Sequence, residues 1–146
     1  MSSFKGSYMY SVDDKGRVSL PAKLRKYVST EANDTFVVTR GFEQCLFVYP
    51  LDEWNKLESS LRGLSANDPE SRRFIRATLE FAQESQLDTQ QRISIPPELR
   101  VYADIQNEVR IIGTLDKIEL WNPKTYEEYK LDQPESYEKI AAKIMQ

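Results

Sequence analysis

Two short stretches of the chain carry the same alternation of polar and apolar residues, Arg17-Val18-Ser19-Leu20 and Arg92-Ile93-Ser94-Ile95. Each predicts a half-buried strand that turns Val18 and Leu20, or Ile93 and Ile95, to a core and keeps its arginine and serine on the polar face. A proline closes each stretch, Pro21 or Pro96, and starts a short amphipathic helix with Leu24 or Leu99 inward. An aspartate, Asp13 or Asp88, opens a turn just before each strand. Residues 12–25 thus return as residues 87–100, at a fixed offset of 75 residues and without a gap. Two copies of one supersecondary unit in a chain are expected to pack together and share a core.

The pattern after each motif also repeats. Asp34-Thr35-Phe36-Val37-Val38-Thr39 and Cys45-Leu46-Phe47-Val48-Tyr49 flank a polar loop with Gly41, which reads as a hairpin. Its counterpart runs from Glu108-Val109-Arg110-Ile111-Ile112 through Gly113 to Ile118-Glu119-Leu120-Trp121. The offset slips here to 73 and then 72, as expected when loops absorb deletions. A helix follows each hairpin. Leu51, Trp54, Leu57 and Leu61 share one face before Gly63, and Asn122 caps a helix with Pro123 at its first position. Between the copies, Asp68 and Pro69 open a connector helix predicted to run to about Glu84, with Phe74, Ala77, Thr78 and Phe81 as its apolar stripe. A last helix is predicted from Pro134 to Met145, with Tyr137, Ile140, Ala141 and Ile144 on one face. The chain therefore divides into a first repeat (7–54), connector helices (55–82), a second repeat (83–126) and a helical tail (127–146).

At 146 residues the chain suits one shared core, with roughly 70% of its unfolded surface buried. Composition removes several function classes. There is no histidine, hence none of the usual base-assisted triads and no common nitrogen ligand, and the single Cys45 excludes an internal disulfide or a cysteine-rich zinc site. No metal, cofactor or small-molecule substrate is expected, and the reading is that of a non-enzyme. Met1 to Tyr10 lacks an apolar stretch of signal length and no segment approaches a membrane span, so the expected location is cytoplasmic.

Charge then sharpens the candidate site. A turn reading explains Asp13, Asp88 and Gly16, since aspartate accepts nearby backbone N–H groups and glycine supplies a positive φ. It leaves Arg17 and Arg92 unexplained, each four residues after its aspartate and each on a strand's polar face, where a guanidinium can reach a phosphate or a guanine edge. Residues 13–26 carry five bases against two acids, while residues 88–100 are balanced, so the first copy is the more basic. The whole chain is acidic, at a net charge of −3, and one such patch contacts few phosphates; firm binding to nucleic acid then calls for several copies acting together. Arg25 and Arg100 sit at helix ends, where they favour the dipole. Residues 104–146 hold nine acids against six bases, a surface suited instead to a basic protein partner.

Gly6-Ser7-Tyr8, the run Val12-Asp13-Asp14-Lys15-Gly16-Arg17-Val18-Ser19-Leu20-Pro21-Ala22-Lys23-Leu24-Arg25, then Arg40-Gly41-Phe42-Glu43 and Tyr49-Pro50-Leu51-Asp52-Glu53-Trp54 resemble the MraZ family of bacterial transcriptional regulators. The resemblance extends through Asp68-Pro69-Glu70-Ser71-Arg72-Arg73-Phe74 and the second repeat to about Tyr129. It implies a mainly β, α+β fold with short helices: two tandem AbrB-like swapped-hairpin halves completing one pseudo-twofold β-barrel. It further implies a ring-shaped homo-oligomer, of eight or more subunits, that binds double-stranded DNA at promoter direct repeats, associates with the nucleoid, and represses the division and cell-wall gene cluster together with its own gene. Lys15, Arg17 and Arg92 are then the expected DNA contacts, Asp13, Gly16 and Asp88 shape the turns, and Lys23 and Arg25 are further candidates for contact. Gln91 stands where the family has glycine, which predicts a different geometry for the second turn. The alternative on the same barrel is a protein-interaction module of the antitoxin kind.

Overall fold

The computed structural model describes residues 2–146. The first repeat contributes β1 (Ser7–Ser11), β2 (Arg17–Ser19), α1 (Ala22–Arg25), β3 (Thr35–Arg40), β4 (Leu46–Pro50) and α2 (Leu51–Arg62). After α3 (Pro69–Leu79), the second repeat contributes β5 (Gln83–Gln86), β6 (Arg92–Ser94), α4 (Pro97–Ala103), β7 (Glu108–Gly113), β8 (Ile118–Trp121) and α5 (Pro123–Leu131), and α6 (Tyr137–Ile144) follows.

The two repeats exchange strands. Six strands pair antiparallel in the order β1-β7-β8-β4-β3-β5, and β2 pairs with β6 in a separate ribbon. Exchanging each strand for its counterpart in the other repeat reverses that order onto itself, the signature of a pseudo-twofold axis. The axis passes through the pair Val18↔Ile93 in the ribbon and through Phe47↔Glu119 where β4 meets β8. An isolated bridge between Val12 and Val18 and a hydrogen bond from Ser94 N to Ser85 Oγ (2.9 Å) tie the ribbon to the two edge strands, enclosing the core. Neither repeat could bury its own strands alone, because β1 and β5 each find their ladder partner among the described residues in the opposite copy, β7 and β3.

Strand alternation sorts the apolar side chains into two layers. Phe36, Val38, Leu46, Val48, Val109, Ile111, Ile118 and Leu120 face inward and meet Val18, Leu20, Ile93, Ile95, Leu24 and Leu99 from the ribbon and its helices. Val37, Phe47, Tyr49 and Trp121 face outward and are covered by α2 and α5 through Trp54, Leu57 and Tyr126. The buried indoles keep polar partners, Trp54 Nε1 donating to Glu58 Oε1 at 2.7 Å and Trp121 Nε1 to Glu119 Oε1 at 2.8 Å. Cys45 belongs to this outer layer, and burial pushes its thiol well above the ordinary range, so it is a small neutral core residue.

The local helix signals operate as read. Asp68 accepts from Glu70 N, and Asn122 Oδ1 accepts from Lys124 N and Thr125 N at 2.8 and 3.0 Å. Two boundaries differ. The connector helix ends at Leu79 rather than near Glu84, because Gln83–Gln86 are recruited as a strand against β3 and Phe81 falls in the intervening turn. The last helix starts at Tyr137, where Ser136 Oγ accepts from Lys139 N, three residues after Pro134. No helix among the described residues is long and apolar enough to cross a membrane.

Candidate nucleic-acid interface

The ribbon β2–β6 builds the site. Its register pairs Arg17 with Ser94 and Ser19 with Arg92, so these four residues lie on the outer face while Val18 and Ile93 close the core beneath. Each arginine is set by its own aspartate. Asp13 Oδ1 accepts from Lys15 N (3.0 Å) and Arg17 N (2.8 Å), and Asp13 Oδ2 accepts from Arg17 Nε at 2.7 Å. Asp88 repeats the scheme with Gln90 N (2.8 Å), Arg92 N (3.0 Å) and Arg92 Nε (2.8 Å). A carboxylate that accepts the Nε–H of an arginine leaves the two terminal nitrogens unused by that contact, so each aspartate orders its own arginine through Nε alone.

The backbone N–H of Arg17 holds the Asp13 carboxyl below its usual range, outweighing partial burial, and the Arg17 side chain and Lys15 N add to the effect. Burial pushes Asp88 upward, and the N–H groups of Arg92 and Gln90 with the Arg92 side chain overcome it, leaving this carboxyl low as well. Both are ionised at neutral pH. Arg92 Nη1 also lies 3.6 Å from Asp13 Oδ2, which brings both arginines to one carboxylate across the pseudo-axis.

Gln91 does not change the turn. Gly16 has φ +78° and Gln91 has φ +62°, and each donates its N–H to the carbonyl of the aspartate three residues earlier at 3.0 Å. Each also offers its own carbonyl to the other repeat, Gly16 O accepting from Ile95 N at 2.9 Å and Gln91 O from Leu20 N at 3.0 Å. The expectation of a different second geometry is therefore corrected: interlocking between repeats holds the left-handed conformation whichever residue occupies it. Surroundings decide which residue is tolerated. The Arg100 side chain lies over Gly16, with Nε 2.7 Å from where a Cβ would stand, so Gly16 is buried. Arg25, the counterpart of Arg100, instead donates from Nε to Leu20 O at 3.0 Å, and Gln91 is exposed.

A family model described as "MraZ protein, putative antitoxin-like" matches residues 3–77 and again residues 79–146. The chain belongs to the MraZ family. Among its relatives, the transcriptional regulator MraZ of Halothermothrix orenii is 48% identical over 139 residues, covering 95% of this chain and 94% of its own. Those of Natranaerobius thermophilus and Moorella thermoacetica are 42% and 37% identical over 142 residues, each alignment covering 97% of this chain and 96% of the relative.

Against this MraZ frame, the predicted residues separate into two groups. Asp13, Arg17 and Arg92 form one contact cluster, and Asp88 adjoins it through Arg92. Lys15 and Lys23 are exposed, with no side-chain hydrogen bond or ion pair among the described residues, and Arg25 is half-buried on Leu20 O. Arg100 is the residue sequence reasoning missed as part of the site. Its Nε is buried without a hydrogen-bond partner among the described residues. Only the exchange of strands carries the second repeat's helix onto the first repeat's turn, so the one available signal was its 75-residue match to Arg25.

Proposed function

We propose that this protein is a sequence-specific DNA-binding transcriptional regulator. The observation that carries the reading is the outer face of the β2–β6 ribbon, where two aspartate-ordered arginines converge within reach of one carboxylate. Preset guanidinium forks suit bidentate recognition of a guanine edge, or of a phosphate, at little further cost in side-chain entropy. Arg17 and Arg92 make those contacts, Lys15 grips the backbone beside Arg17, Asp13 and Asp88 fix the turns, and Lys23 and Arg25 flank the patch. The ribbon is small and the chain acidic, so several protomers act together as a ring of eight or more on promoter direct repeats. On this reading it works at the nucleoid in the cytoplasm and represses the division and cell-wall cluster and its own gene. The relatives' name, transcriptional regulator, supports the DNA reading over the antitoxin-like one that the family description mentions.

Footprinting of the chain's own upstream region, with mass measurement of the bound species, is the test. Protection of spaced repeats by an oligomer is expected. Binding that is indifferent to sequence, or unchanged in Arg17→Ala, would overturn the assignment; selective capture of one protein partner in place of DNA would favour the antitoxin-like module.

A further inference from the structure

Gly16 and Arg100 fit one another in a way that their counterparts do not. Gln91 holds φ +62° at the same place in the second turn, so the left-handed conformation by itself does not call for glycine at position 16. What glycine leaves is room. Arg100 Nε, Cζ and Cδ lie 2.7, 2.8 and 3.1 Å from where a Cβ on Gly16 would stand, so the guanidinium packs directly on the backbone of the first turn. At the second turn Gln91 brings its own Cβ, and Arg25 donates instead from Nε to Leu20 O at 3.0 Å.

Arg100 forgoes that bond. Its Nε is buried without a partner, where the equivalent acceptor would be Ile95 O, and no carboxylate pairs with it among the described residues, neither Asp14 in the turn nor Glu98 on its own helix. Burying an N–H of a charged group unpaired costs free energy, and Arg25 shows that nearly the same local sequence offers a satisfied alternative. The helix that carries Arg100 is firmly held. Two residues on, Tyr102 OH donates to Glu43 O (2.9 Å), Gln44 Nε2 donates to Tyr102 O (3.2 Å), and the Arg40 guanidinium lies 4.5 Å from the Tyr102 ring centre, which straps α4 to the first repeat's hairpin loop. An unneutralised cation is thus delivered to the one turn that also carries Lys15, exposed, and Arg17.

We propose that Arg100 is a third arginine of the nucleic-acid interface and grips a phosphate of the DNA backbone beside the first turn. A phosphate against the terminal nitrogens supplies the negative charge that the chain withholds, and the bare backbone of Gly16 lets the strand come close. Arg100 stands on α4 rather than on the ribbon. It therefore fixes where the strand lies while Arg17 meets the groove. The second turn has no equivalent group, because Arg25 is spent on Leu20 O. The inference rests on the DNA reading above and adds to it a contact from outside the aspartate–arginine motif.

Binding of the full chain to the duplex footprinted upstream of its own gene, titrated at several salt concentrations, tests the contact. Arg100→Met is expected to lower the slope of log affinity against log salt by about one unit. Its thermal midpoint is expected at or above that of the wild type, since an unpartnered buried N–H gives way to an apolar stem. Single phosphates of the duplex are then replaced by neutral methylphosphonates. At one position the replacement is expected to weaken wild-type binding about tenfold and to leave Arg100→Met unaffected, whereas a merely structural arginine would lose affinity equally on every duplex. Arg100→Lys, which keeps a charge beside the turn, is expected to restore the slope. A midpoint that falls with the slope unchanged, a loss that no single phosphate accounts for, or a lysine variant no better than methionine would overturn the contact. Wild-type protein that binds no duplex sinks the regulator reading; wild-type binding with slope and phosphate dependence unchanged in Arg100→Met sinks the Arg100 contact alone.

Discussion

The two motif turns share one hydrogen-bond scheme although every residue between aspartate and arginine differs, Asp14-Lys15-Gly16 in the first and Thr89-Gln90-Gln91 in the second. The aspartate and the cross-repeat carbonyl contacts therefore define the turn, and the intervening residues set its charge and its cover. The first turn carries a charged pair, Asp14 and Lys15, and is roofed by Arg100; the second carries no charge between its aspartate and its arginine and is open. In a fused dimer the two halves are released from identity: the turn geometry is held in common while the residues within it diverge.

The comparison breaks most readily at the arginines. Arg17→Ala is expected to weaken binding to the promoter repeats by about 1–3 kcal/mol if the contact is to a base edge, and Arg92→Ala by less, because the second turn has no lysine beside its arginine. Gel shifts on the same fragment decide, and equal losses would show that the copies bind as equals. Reciprocal exchange at the left-handed position comes next. Gly16→Gln is expected to cost about 1–2 kcal/mol of stability in urea unfolding, since strain at φ +78° is joined by a Cβ against Arg100. Gln91→Gly is expected to gain less than about 1 kcal/mol, relief of strain being offset by backbone entropy in the unfolded chain.

Acid titration probes the two carboxylates together. Both are held low in the folded state, so their stabilisation is complete above the ordinary value of 3.8 and is lost as pH falls through the folded values. Asp13→Asn and Asp88→Asn are each expected to flatten that acid-side slope in thermal unfolding, Asp13→Asn more, because Asp13 also faces Arg92. A slope identical to wild type in both variants would remove the turns from the pH response. The smallest effect is expected from charge transfer between the turns. Lys15→Ala lowers the salt dependence of DNA binding by about one unit and Gln90→Lys raises it by as much if each position contacts a phosphate; titration at several salt concentrations reads both.

Much of this site was legible before the fold. Asp13 and Arg17 announce themselves because an Asx turn followed by an alternating strand is encoded within a few residues, and its return at Asp88 and Arg92 doubles the signal. The roof over Gly16 was not legible, since Arg100 is distant in sequence and meets the turn only through strand exchange. Gln91 misled for a related reason. Its tolerance of a positive φ comes from Leu20 N across the axis and from an open surface, neither of which its neighbours in sequence reveal.

The sequence by itself determined the repeated unit, the hairpins, the helix caps and the residues that tip each turn, because periodicity, capping and turn chemistry act over a handful of positions. The tertiary structure alone decided which copy of each strand pairs with which, where the connector helix yields to β5, and that both arginines meet at Asp13. The reason is degeneracy: strands of a repeated sequence fit a partner from either copy almost equally well by local criteria, and only burial of the shared core selects the exchanged arrangement.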